Sequence, residues 1–243
     1  STSAIKVLFT RAAGESSPFT GFGKPYTPAV DIMACDWNCD NVSDYIYVFP
    51  TDEQGYKYNI GVTDGNYPSG DISSIAIADA PNGNLHDPPY SNTRCADLAL
   101  ADIDGDGRKE VVVIAKENDG TIRLHAYSVD NKLNISEYSS SYKVADWKCY
   151  GAVCAVESGN SSPGGIDELY VLRYANPGTT ITSDSLTRLS LISATAWKDG
   201  RIEWREKASG RMYNSLPFPE IYPENWVENP LLGQLAVGDI NGD

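Results

Sequence analysis

The chain reads as an all-β protein made of a repeated antiparallel unit, and three observations lead there. Short apolar segments, rich in Val, Ile and Tyr, are bounded by Gly, Asn and Asp, which is the pattern of strands between turns. One strand–loop–strand layout recurs along the sequence. No segment carries a 3.6-residue apolar period over three turns.

The first copy of the layout is Asp31-Ile-Met-Ala-Cys-Asp36-Trp-Asn38-Cys-Asp40-Asn-Val42-Ser-Asp44-Tyr-Ile-Tyr-Val-Phe49. The second is Asp97-Leu-Ala-Leu-Ala-Asp102-Ile-Asp104-Gly-Asp106-Gly-Arg108-Lys-Glu110-Val-Val-Val-Ile-Ala115. A third, Gln234-Leu-Ala-Val-Gly-Asp239-Ile-Asn241-Gly-Asp243, stops inside its loop. A weaker copy starts at Ala152-Val-Cys-Ala-Val-Glu157 and resumes at Asp167-Glu168-Leu-Tyr-Val-Leu172. Its loop reads three residues longer, has lost most oxygen ligands, and predicts a unit without metal. Hairpin signals at Asp52–Gly55 and Asn118–Gly120 lead into third strands at 56–62 and 121–129. A later hairpin is predicted around Lys198-Asp-Gly200, between strands at 189–197 and 201–206.

Loop starts at 36, 102, 157 and 239 leave room for one four-stranded sheet per interval, with insertions. Sheets of that size repeated radially make a β-propeller, which protects most strand edges by stacking one sheet on the next. The expectation is a whole or partial propeller of about four blades, spanning residues 1–243 as a single domain. A β-sandwich is the structural alternative.

In the second loop, carboxylates stand at positions 1, 3, 5 and 9 (Asp102, Asp104, Asp106, Glu110), and the Arg108 carbonyl falls at position 7. Alternation in a tight loop turns such oxygens to one interior point. Calcium takes six to eight oxygens and suits this set; magnesium demands a stricter octahedron, and transition metals favour His or Cys. An EF-hand is excluded because its twelfth position is Val113, inside an apolar run. The first loop offers Asp36, Asn38, Asp40, the Val42 carbonyl and Asp44 on the same spacing, and the last offers Asp239, Asn241 and Asp243. Cys39 and Asn41 replace the glycines at positions 4 and 6, predicting a more strained backbone there. The competing reading takes these clusters as ordinary Asp/Asn/Gly turns.

The repeated loop resembles the FG-GAP/VCBS repeat, best in Ala96–Val113 and closely in Leu235–Asp243. The resemblance implies calcium between the first two strands of each blade and an extracellular, secreted or cell-surface setting. It covers four short windows and leaves 173–233 unassigned. If Asp243 were followed by Ser1, Ile5–Phe9 would take the place of Val111–Ala115. That implies either ring closure or head-to-tail stacking of copies, although Ala4 at position 9 offers no side-chain ligand; truncation of a longer chain is the other reading of that end.

Composition narrows the partners. With 19 basic against 33 acidic residues and a net charge of −14, nucleic acid is not an expected partner. No run approaches 18 apolar residues, so no membrane insertion by a helix is expected. Five cysteines without a CxxC pair read either as local disulfides, Cys35–Cys39 and Cys149–Cys154, or as small buried hydrophobes. Sequons at Asn41, Asn134 and Asn160 lean towards secretion. The functional expectation is a calcium-stabilised scaffold that binds a protein or glycan, with Tyr222 and Trp226 in a candidate aromatic loop. The alternative is a polysaccharide lyase or hydrolase using His86, with His125 read as structural.

Overall fold

The computed structural model describes residues 31–50, 58–66, 73–76, 96–116, 122–145, 153–159, 165–174, 188–211 and 235–237. Three antiparallel sheets account for the strands among the described residues. The first runs in the order β1 (Ile32–Cys35), β2 (Asp44–Pro50), β3 (Tyr58–Thr63), β4 (Ser73–Ala76). The second is β5 (Ala96–Ala101), β6 (Glu110–Lys116), β7 (Ile122–Val129), β8 (Ile135–Glu137), with β9 (Tyr142–Ala145) also pairing β7. The third is β10 (Val153–Gly159), β11 (Glu168–Tyr174), β12 (Arg188–Ala196), β13 (Ile202–Arg211). No helix occurs among the described residues, and none is long and apolar enough to cross a membrane. The hairpin at 198–200 is present: Trp197 N–H donates to the Arg201 carbonyl at 2.9 Å, and Gly200 adopts φ +84°. The hairpin signals at 52–55 and 118–120 lie outside the described residues.

Strand register corrects one expectation. Cys35 stands opposite Asp44, Ala101 opposite Glu110, and Gly159 opposite Glu168. The weaker copy therefore has a loop of the same length as the others, spanning 160–167, with Asn160 and not Glu157 at position 1. Its β10 runs three residues further than the apolar pattern shows, because Glu157 and Ser158 are strand residues of mixed exposure. Glu168 thereby takes position 9, the place of Asp44 and Glu110.

The sheets stack face to face in chain order. One core joins Trp37, Ile46, Val48, Ile60 and Val62 of the first sheet and its loop to Leu98, Val111, Val113 and Tyr127 of the second. The other joins Ala99, Val112, Ile114 and Leu124 of the second to Val156, Leu169, Val171 and Ile192 of the third. Successive β-residues point to opposite faces, so the unbroken run Val111–Ala115 belongs to a strand covered on both sides. Each sheet presents loop-relative position 11 (Ile46, Val112) forwards and positions 10 and 12 (Val111 and Val113, Leu169 and Val171) backwards. The same step is used twice. A third use begins at Gly159, where an added Cβ would lie 2.6 Å from Val237, so the segment 235–237 lies against the forward face of the third sheet.

Side chains lock the steps. The Leu98 amide donates to Asp31 Oδ2 at 2.9 Å, and the Val156 amide donates to Asp97 Oδ2 at 2.8 Å. Asp31 and Asp97 are both five residues before a loop start, and Leu98 and Val156 are both four before theirs. That equivalence independently supports the corrected start at Asn160.

Candidate metal centre

The 102–110 loop is held open by its own amides. Asp102 accepts from the Gly105 amide (2.7 Å) and the Gly107 amide (2.9 Å), Asp104 from Asp106 (3.0 Å), and Asp106 from Arg108 (2.9 Å). Glu110 accepts from Ile103 at 2.9 Å. Gly105 and Gly107 adopt φ +77° and +86°, the left-handed region that lets the chain coil about a centre. One carboxylate oxygen each from Asp102, Asp104 and Asp106 falls within 4.8 Å of the others.

The 36–44 loop repeats four of these five bonds; in place of the position-4 amide, the Asp40 amide at position 5 donates to Asp36 as well, at 3.1 Å. Asn41 donates to Asp36 (2.9 Å), Asp40 to Asn38 (3.0 Å), Val42 to Asp40 (2.8 Å), and Trp37 to Asp44 (3.0 Å). Cys39 and Asn41 take φ +61° and +66°, as glycine does at the matching positions of the second loop. Asn tolerates that region; a cysteine there carries a cost of about 1–2 kcal/mol. Among the described residues neither the Val42 nor the Arg108 carbonyl accepts a hydrogen bond, so both are available as position-seven oxygens. The Arg108 guanidinium itself is turned away, donating to the Trp37 carbonyl at 2.8 Å.

Burial and mutual charge both act on the loop acids. Burial pushes Glu110 up to about 7; the Ile103 amide opposes this, and the charges of Asp104, Asp106 and Asp102 add to it. Asp104 is raised by burial and by Asp106 and Asp102, against the Asp106 amide. Asp44 is raised by burial, offset by the Asn38, Trp37 and Gly65 amides. Among the described residues no Lys or Arg pairs with Asp104, Asp106 or Glu110. Clustered carboxylates without a cation repel one another, and an all-oxygen set of this kind fits a hard divalent ion. The position-9 acid of the third unit is served differently, because Glu168 pairs with Lys207 from β13.

The two loops are interlocked. Trp37 Nε1 donates to the Lys109 carbonyl at 2.8 Å, reciprocating the Arg108–Trp37 bond. The second loop is tied forwards as well: the Asp102 amide donates to Asp167 Oδ2 at 2.8 Å, the Asp167 amide to the Asp102 carbonyl at 2.9 Å, and Lys109 pairs with Asp167.

Of the remaining expectations, Asp239, Asn241, Asp243, His86, Tyr222, Trp226 and Asn160 lie outside the described residues. Cys35 and Cys39 are free thiols, so that local disulfide is not formed. His125 is buried in β7, with Nδ1 3.3 Å from Glu137. Asn134 is exposed, and its side-chain amide donates to Asp130 at 2.9 Å. The sequence reading missed the Asp31/Asp97 locks, whose equal offset from each loop was a usable signal. It also missed Tyr138 and Trp197, which border the second loop with no sequence signal at all. No protein-family model matches the chain, and no curated protein matches it.

Proposed function

We propose that the chain is a calcium-stabilised β-propeller module, or part of one, serving as an extracellular or cell-surface scaffold for a protein or glycan partner. The observation that carries this reading is the wiring shared by loops 36–44 and 102–110, four amide-to-side-chain bonds at the same positions, together with the convergence of Asp102, Asp104 and Asp106 oxygens in the second loop. Asp36, Asn38, Asp40, Val42 and Asp44 would hold one ion; Asp102, Asp104, Asp106, Arg108 (by its carbonyl) and Glu110 another. The ion would neutralise the carboxylates and fix the bend between neighbouring strands. A head-to-tail step used repeatedly either closes a ring or continues as an open array, and closure removes the open ends. Self-assembly with further copies would use the same step. The net charge of −14 argues against nucleic acid as the partner. No observation in the described residues favours the lyase or hydrolase alternative.

Thermal melting with calcium, magnesium or chelator tests the reading. At a calcium concentration a hundredfold above Kd, each independent site adds about 2.7 kcal/mol. That corresponds to an upward shift of about 5–10 °C in Tm for a chain of this size. Asp102→Ala and Asp36→Ala should each remove part of the gain. An identical Tm in calcium and in chelator, with no heat of calcium binding, would overturn it.

A further inference from the structure

Beside the 102–110 loop lies a groove of about 230 Å³, lined by Asp104, Asp106 and Glu110 and by Trp197 and Lys198 of the β12–β13 turn. A water takes up about 30 Å³ of liquid, so the space exceeds what an ion and a few waters fill. Tyr138 also borders it. This residue is only 8% exposed, and its hydroxyl has no hydrogen-bond partner among the described residues. The ring is buried while the hydroxyl opens on the groove, so it stands beside the carboxylates as a free donor that an arriving oxygen can meet.

The walls restrict what that oxygen belongs to. Asp104, Asp106 and Glu110 can only accept hydrogen bonds when ionised, whereas Tyr138 can donate and a calcium ion takes lone pairs. A group meeting both demands must donate and accept, and a hydroxyl does so where a carbonyl, ammonium or carboxylate does not. Charge excludes an anion: Asp130 adds a further acid to the wall, and the Arg108 guanidinium is committed to the Trp37 and Val129 carbonyls at 2.8 and 3.4 Å. Lys198 is the remaining cationic side chain on the groove. The Trp197 indole is 37% exposed and stiffened by the Arg201 guanidinium 5.1 Å from its centroid, adding an apolar surface to the polar lining.

We propose that this groove binds a neutral polyhydroxylated ligand of the size of one sugar ring, with neighbouring hydroxyls at the ion and the Tyr138 hydroxyl and its carbon face against Trp197. The assignment rests on the calcium reading of the 102–110 loop and deepens it by naming the class of ligand.

The test is saturation-transfer NMR of the protein with the methyl glycosides of glucose, galactose, mannose, fucose and N-acetylglucosamine, in calcium and in chelator, alongside the calcium melting curves. At least one glycoside should show transfer in calcium and lose it in chelator. Tyr138→Phe should bind that glycoside roughly fivefold to tenfold more weakly. Trp197→Ala should abolish transfer while keeping the wild-type calcium shift in Tm, which shows that the metal loop is intact. A calcium shift with no transfer from any glycoside overturns the ligand assignment and leaves the metal reading standing. Transfer that persists in chelator, or in Trp197→Ala, places the sugar elsewhere and also overturns it. Absence of any calcium response defeats the metal reading, and the ligand assignment falls with it.

Discussion

Single residues set the curvature of each loop. Gly107 adopts φ +86°, and a Cβ added there would meet no atom within 4 Å. The cost of Gly107→Ala is therefore conformational alone, about 1–2 kcal/mol, and chemical denaturation in chelator should read it directly. Asp97 governs a different response. Burial raises it to about 7; the Val156 amide opposes this, and the charge and hydrogen bond of Asp31 add to it. The folded chain thus keeps a proton that the unfolded chain releases near the usual 3.8. Stability should fall as pH rises from about 4 to 7 and then level off. Asp97→Asn retains an acceptor for the Val156 amide and should flatten that slope in denaturant midpoints measured across the window. Had the Asp97 carboxylate been fully ionised in the fold, the two proteins would respond alike.

At the scale of elements, the contacts between loops matter more than either loop alone. The Trp37–Lys109 and Arg108–Trp37 bonds join position 2 of one loop to positions 7 and 8 of the next. Ordering one loop on an ion would therefore order part of its neighbour, and calcium titration of the wild type should be positively cooperative. Arg108→Leu removes the guanidinium and leaves the backbone carbonyl. It should bring the Hill coefficient towards one while both sites still fill, as followed by isothermal titration. A wild-type titration without cooperativity would show the interlock to be structural only. β10 extends through two polar residues, Glu157 and Ser158, because Ser158 donates to the Leu100 carbonyl at 2.6 Å across the sheet interface.

The described residues form three sheets stacked in chain order by one step used twice. In a sheet with one wet face, only alternate residues of a strand respond strongly to truncation. In β6 both faces are covered, so Val112→Ala and Val113→Ala should each cost about 2 kcal/mol, one opening the core shared with the third sheet and the other the core shared with the first. Thermal or denaturant unfolding of the two variants checks this, and a near-neutral result for either would contradict two-sided burial. The continuous run Val111–Ala115 was the sequence sign of it. The partner of each face was not legible there, since Leu169 and Ile192 are far away along the chain.

Periodicity and composition by themselves determined the all-β class, the first two strands of the two complete units, and the alternate-position oxygens of their loops. These follow from local rules: a two-residue side-chain period, and the backbone demands of a tight turn. Only tertiary structure decided that the weaker copy starts at Asn160, that the two loops share hydrogen bonds, and that Tyr138 and Trp197 meet the acids of 102–110 in one groove. Those features depend on how one sheet settles on the next, and such contacts join residues whose separation along the chain carries no period.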